Sequence, residues 1–141
     1  MNKGGPIIFI EDDIDDQEIL LEVFKSLDCT NEILFFNEGE KALEYLISTD
    51  TEPFIIFSDI NMPVLSGIEL RAKIHENEDL RMKSIPYLFF STSAEQKNVI
   101  EAYSKSVQGF FIKPNSYDKL RETMSTIVKY WECCVSPNYV K

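Results

Sequence analysis

Four apolar stretches of this chain stop on side chains that do chemistry. Residues 6–10 run into Glu11, Asp12 and Asp13, residues 54–57 lead through Ser58 to Asp59, residues 87–90 meet Ser91 and Thr92, and residues 110–112 meet Lys113 and Pro114. Asp59 alone reads as a turn or cap residue, since Pro63 bends the chain just beyond it. The set reads differently. Two carboxylates about 4 Å apart repel by roughly 4 kcal/mol at an effective dielectric of 20, so Glu11, Asp12 and Asp59 need a cation to stay ionised together. An all-oxygen donor set points to a hard divalent ion, and a few carboxylates with retained waters suit Mg²⁺ better than Ca²⁺. Lys113 adds a second positive charge. A cation and an ammonium beside an exposed carboxylate attract a phosphoryl group and neutralise it, with Asp59 as nucleophile.

These side chains must be positioned by the elements they terminate. Residues 6–10, 33–36, 54–57, 87–90 and 110–112 are short, continuous and rich in Ile and Phe, the pattern of strands buried on both faces. Helix-period segments lie between them. Leu20, Val23, Phe24 and Leu27 form one stripe, and Ala42, Leu43, Leu46 and Ile47 another. A third helix starts near Gly67 with Leu70 and Ile74 inward. A fourth, more polar one spans residues 94–106, with Val99, Ile100, Ala102 and Tyr103 as its apolar group. The last carries Tyr117, Leu120, Met124, Ile127, Val128 and Trp131 after an N-cap at Asn115 or Ser116. This alternation predicts a parallel sheet with helices on both faces, and such sheets place their sites at the carboxyl ends of the strands.

The whole chain sets limits. Its 141 residues fit one domain, with a core over about residues 5–131 and a tail over 132–141. Lys and Arg total 14 against 24 Asp and Glu, a net charge of -10, which argues against nucleic-acid binding. No apolar run reaches membrane-spanning length and no secretory leader is visible, so no membrane partner is expected. Cys29, Cys133 and Cys134 are an odd number without metal-ligand spacing, which suits a reducing compartment, and the cytoplasm is the expected location.

The acidic pair Glu11-Asp12, the stretch Asp59-Ile60-Asn61-Met62-Pro63 with Gly67 beyond it, Ser91 after Ile85-Pro86 and an apolar strand, and Lys113-Pro114 resemble the receiver domain of two-component response regulators. The resemblance implies an α/β, three-layer, doubly wound five-stranded parallel sheet of flavodoxin-like strand order 2-1-3-4-5. It implies Asp59 as phosphoacceptor and Mg²⁺ (or Mn²⁺) held by Asp12 and Asp59 directly, by Glu11 through water and by the Asn61 backbone carbonyl. Lys113 would pair with the phosphoryl group. Ser91 would move to hydrogen-bond it, and Phe110 would be the aromatic whose rotamer follows. Asn61 and Ser93 would flank the attacking water and tune hydrolysis, and the Lys113–Pro114 bond would be cis.

The implied partners are a sensor histidine kinase or histidine phosphotransfer protein as donor, and an output protein on the face of helix 4, strand 5 and helix 5, with a phosphorylation-dependent homodimer as a further option. The domain acts as a regulatory phosphoacceptor rather than an enzyme with a separate substrate, apart from Mg-dependent self-phosphorylation and self-dephosphorylation.

Other readings fit less well. An Asp12-Asp13 register is set aside because Ile10 closes the apolar run, and Ser91 is preferred to Thr92 on its spacing from Pro86 and Lys113. A haloacid dehalogenase-like phosphohydrolase would place its Asp-x-Asp after the first strand, where Asp13-Ile14-Asp15 superficially lies, but 141 residues leave little room for a cap. Asp15 with Glu18 reads as an N-cap arrangement for the first helix, Asp16 as structural and Asp13 as a solvent-facing turn residue. His75, the sole histidine, reads as a surface residue, which leaves the phosphoryl donor to another protein.

Overall fold

A computed structural model describes residues 1–62, 64–92 and 95–135. The chain alternates β1 (Ile7–Ile10), α1 (Ile14–Ser26), β2 (Ile33–Phe36), α2 (Gly39–Ser48), β3 (Ile55–Ser58), α3 (Gly67–Glu76), α4 (Glu78–Met82), β4 (Tyr87–Ser91), α5 (Gln96–Ser104), β5 (Gly109–Ile112) and α6 (Tyr117–Cys133). All strand pairs are parallel, in the order β2-β1-β3-β4-β5. This is the predicted doubly wound sheet.

The continuous apolar runs have a simple cause. Successive strand residues point to opposite faces, so a strand covered on both sides must be apolar at every position. Ile8, Ile10, Ile56, Tyr87 and Phe89 pack into one core with α2, α3, α4 and α5. Ile7, Phe9, Ile55, Phe57, Leu88 and Phe90 pack into the other with α1 and α6. The Phe9 ring stacks on that of Phe57, with centroids 4.7 Å apart.

Local details depart from expectation. α4 has no counterpart among the helix-period segments of the sequence. Asn77 ends α3 and its side chain accepts from the Leu80 amide, which opens a five-residue helix too short to leave a periodic signal. The face expected on helix 4, strand 5 and helix 5 is therefore α5, β5 and α6. The first helix is capped by Asp13, which accepts from the Asp16 amide at 3.2 Å, and not by Asp15, which lies in the first turn. Ser116 is the cap of α6. Among the described side chains of α5 only Ala102 is fully buried, whereas Ile100 and Tyr103 are exposed. Ile47 is exposed as well, because α2 covers the sheet with its Ala42 and Leu46 edge. Among the described residues no helix is long and apolar enough to cross a membrane.

Candidate functional site

The carboxyl edge of the sheet gathers the strand-end residues. The Glu11 amide continues the β1–β2 ladder by donating to the Phe36 carbonyl at 3.0 Å, which fixes Glu11 as the first residue beyond β1. Glu11 is buried and its Oε1 accepts from the Asp13 amide at 3.1 Å, whereas Asp12 is exposed. Gln17 bridges the Glu11 carbonyl at 2.6 Å and Asn37 Oδ1 at 3.0 Å, tying α1 to the strand ends.

Asp59 is held with both oxygens oriented. Its amide donates to the Ile10 carbonyl at 3.1 Å, placing it beside β1. The Ile60 amide donates to Asp59 Oδ1 at 2.7 Å, so Oδ2 is the oxygen turned to Lys113, 3.5 Å from Nζ. Behind it, a Cβ on Gly67 would lie 2.1 Å from the Asp59 carbonyl oxygen and 2.9 Å from Ser58 Oγ. Only glycine fits there, and the capping box between Ser66 and Glu69 starts α3 at that point.

Lys113 reaches across the edge. Its amide donates to the Ser91 carbonyl at 2.7 Å, and its Nζ pairs with Glu11 Oε2 and stands 3.2 Å from Asp16 Oδ2. The Lys113–Pro114 bond is trans, since no cis bond occurs among the described residues, against the expectation of cis. Trans is the ordinary form unless the surroundings favour the other. Ser91 is buried at the end of β4, Thr92 is exposed, and Phe110 is half-buried with its ring 5.9 Å from that of Phe89. Asn61 is exposed two residues beyond Asp59. Ser93 lies outside the described residues.

Asp16, a structural residue by its sequence position, is one of three carboxylates around the ammonium. Nothing in the strand-end pattern marks it. It comes to the site because the Asp13 cap sets the register of the first turn of α1.

One ligand oxygen from each of Glu11, Asp12 and Asp59 lies within 4.8 Å of the others. Burial raises Glu11 above its ordinary value, and the bond and charge of Lys113 only partly offset this. Burial alone would lower Lys113, but Glu11, Asp59 and Asp16 outweigh it and the ammonium is raised. The rise of Lys113 fits an edge with more carboxylates than cations, and that of Glu11 follows chiefly from its burial. The cluster of hard oxygen donors fits a divalent metal ion.

A family model described as "Response regulator receiver domain" matches residues 7–125. The chain is 29% identical over 129 residues to the probable methanogenesis regulatory protein FilR2 of Methanothrix harundinacea, covering 89% of this chain and 82% of that protein. It is 28% identical over 135 residues to the response regulator Rcp1 of Synechocystis sp., covering 92% and 90%. The crystal structure of the Mn²⁺-bound form of Rcp1 matches with a TM-score of 0.79 at 28% identity, covering 93% of this chain and 97% of that one. A stretch of 91 residues is 33% identical to part of the sensor histidine kinase TmoS of Ectopseudomonas mendocina, covering 64% of this chain and 9% of that protein.

Proposed function

The chain belongs to the response regulator receiver domain family, and from that membership we propose that it is a phosphoacceptor switch with Asp59 as the acceptor. The observation that carries this reading is the split role of the Asp59 carboxylate. Oδ1 is tied to the Ile60 amide, while Oδ2 faces Lys113 at 3.5 Å. One oxygen is oriented for attack and the other holds the group in place.

In the transfer, Asp59 Oδ2 attacks the phosphorus of a phosphohistidine on a sensor kinase or phosphotransfer protein. The new O–P bond forms as the N–P bond breaks, and the histidine nitrogen keeps the electron pair. Lys113 Nζ stands beside the incoming oxygens and neutralises part of their charge. Asp12 and Asp59 directly, Glu11 through water and the Asn61 carbonyl are the groups that would hold Mg²⁺ or Mn²⁺. When bound, that ion supplies charge neutralisation and in-line orientation of the phosphoryl group.

Ser91 then hydrogen-bonds the phosphoryl group and Phe110 follows, biasing α5, β5 and α6 toward an output partner. The exposed apolar side chains of Ile100, Tyr103 and Ile112 on α5 and β5 support that choice of face. Asn61 and Ser93 carry no base for the attacking water, so the aspartyl phosphate is expected to decay on an intermediate timescale, in the cytoplasm where its donors act. The haloacid dehalogenase alternative has no support from the relatives found.

The test is labelling with acetyl phosphate and Mg²⁺, read by intact mass. One phosphoryl group per chain is expected, with none in Asp59→Asn or after chelation. Full labelling of Asp59→Asn would overturn the assignment.

A further inference from the structure

The carboxyl edge of the sheet accounts for Lys113 but not for the other buried cation. Arg71 on α3 is 7% exposed. Its Nε donates to the Lys105 carbonyl at 3.1 Å and its Nη2 to the Ser106 carbonyl at 2.8 Å. Its guanidinium carbon lies 5.5 Å from the centroid of the Tyr87 ring. Among the described residues no carboxylate forms an ion pair with it. A buried guanidinium answered only by carbonyls and a ring is undercompensated. Burial accordingly holds Arg71 below its ordinary value, against a smaller opposing pull from Tyr87.

Arg71 lines a cavity of about 260 Å³ at the amino edge of the sheet, together with His75, Arg81, Ser84, Ser106 and Gln108. No acidic side chain is among its described lining residues, in a chain whose net charge is -10. Part of this basic character has a structural cause. α3, α4 and α5 all end near this cavity; Arg71 answers carbonyls just beyond α5, and Arg81 answers one at the end of α3 by a 2.9 Å bond from Nη1 to the His75 oxygen. The donors exceed that need. Arg71 Nη1 and Arg81 Nη2 have no protein acceptor among the described residues. Gln108 Oε1 accepts from the Tyr87 amide at 2.7 Å, which leaves its Nε2 as a further donor.

We infer that this cavity binds a phosphate group, carried by inorganic phosphate or by a small phosphomonoester, between Arg71, Arg81 and Gln108. Two guanidinium groups, an amide and two hydroxyls offer more donors than a planar carboxylate uses and suit a tetrahedral oxyanion. The cavity of about 260 Å³ is below the roughly 300–1,000 Å³ of sites for drug-sized ligands and matches a small phosphorylated group. Tyr87 and Ser91 stand at opposite ends of β4, about 13 Å apart at the rise of a parallel strand. The site is therefore separate from the carboxyl edge, and its occupant would brace the α5–β5 connection through Arg71.

The test uses the full chain in magnesium-free buffer at fixed pH. His75, as the only histidine, gives a single set of imidazole proton resonances to follow. Inorganic phosphate and methyl phosphate are titrated separately, with sodium chloride at matched ionic strength as control. A saturable shift with a midpoint in the low millimolar range (on the order of 1–5 mM) is expected, weakened about tenfold or more in the exposed-site variant Arg81→Gln. Arg71→Lys, checked for folding by circular dichroism, should weaken it also. Tighter binding of inorganic phosphate identifies the free ion as the source, and tighter binding of methyl phosphate identifies an ester. An equal shift with chloride, a response without saturation, or unchanged binding by Arg81→Gln overturns the inference.

Discussion

Lys113 and Glu11 form an ion pair between the ends of β5 and β1, two strands that β3 and β4 keep apart. The ammonium thus spans the whole site before any phosphoryl group arrives. Replacing it exposes the carboxylates to one another. In Lys113→Ala, Mg²⁺ affinity measured by calorimetry should rise by about tenfold, since roughly 1.4 kcal/mol is well within the repulsion being relieved. The same variant should lose phosphorylation-dependent partner binding. Weaker metal binding would show that Lys113 orders the acidic cluster rather than competing with the ion.

The raised Glu11 makes the site pH-dependent. A carboxyl whose folded value lies above 4.5 holds its proton more tightly in the folded chain. Its stabilising contribution is therefore present below 4.5 and is lost as pH rises through the folded value. Lys113, raised above 10.5, contributes at every lower pH and is lost only as pH rises through its own folded value. Since only the ionised carboxyl serves as a ligand, Mg²⁺ should raise the melting temperature more at neutral pH than near 4.5. Scanning calorimetry with and without the ion reads this, and an equal effect at both ends would contradict it.

Gly67→Ala should damage both stability and acceptor chemistry. The added methyl would meet the Asp59 carbonyl at 2.1 Å and Phe89 Cε1 at 2.8 Å, so the backbone at the acceptor must shift. Overpacking of this kind costs about 1–3 kcal/mol. Urea unfolding and the rate of acetyl phosphate labelling should both fall, and a normal labelling rate would mean that Asp59 tolerates displacement.

Val64 is strained and gains nothing from packing. It has φ of 69° and is 81% exposed. A left-handed backbone costs an ordinary L-residue roughly 1–2 kcal/mol, more readily borne by Asn or Gly. Val64→Asn should therefore stabilise the protein by about 1 kcal/mol in urea unfolding. A loss of stability would mean that the valine side chain is used.

Although the spatial order of the strands came only from the family resemblance, the strands themselves were legible because a doubly covered parallel strand has no polar positions to disguise it, and any polar residue at its end stands out. That contrast exposed Glu11, Asp59, Ser91 and Lys113 as a set. It failed where helices supply the side chain. Asp16 reaches Lys113 only through the register set by Asp13, and nothing in an acidic run of residues says which member turns inward. Arg71 carries no signal in the sequence for a similar reason. Its burial depends on Tyr87 and on the carbonyls beyond α5, partners far away in sequence.

The span between Glu11 and Lys113 also orders events while the chain is being made. Glu11, Asp12 and Asp59 are synthesised 54 residues (113 minus 59) or more ahead of the lysine. At about 5–20 residues per second that is a delay of at least roughly 3–11 s. During it the first three strands carry a carboxylate cluster that no ammonium of this site can yet answer. The ion pair that closes the site therefore forms only after β5 and its lysine have been made.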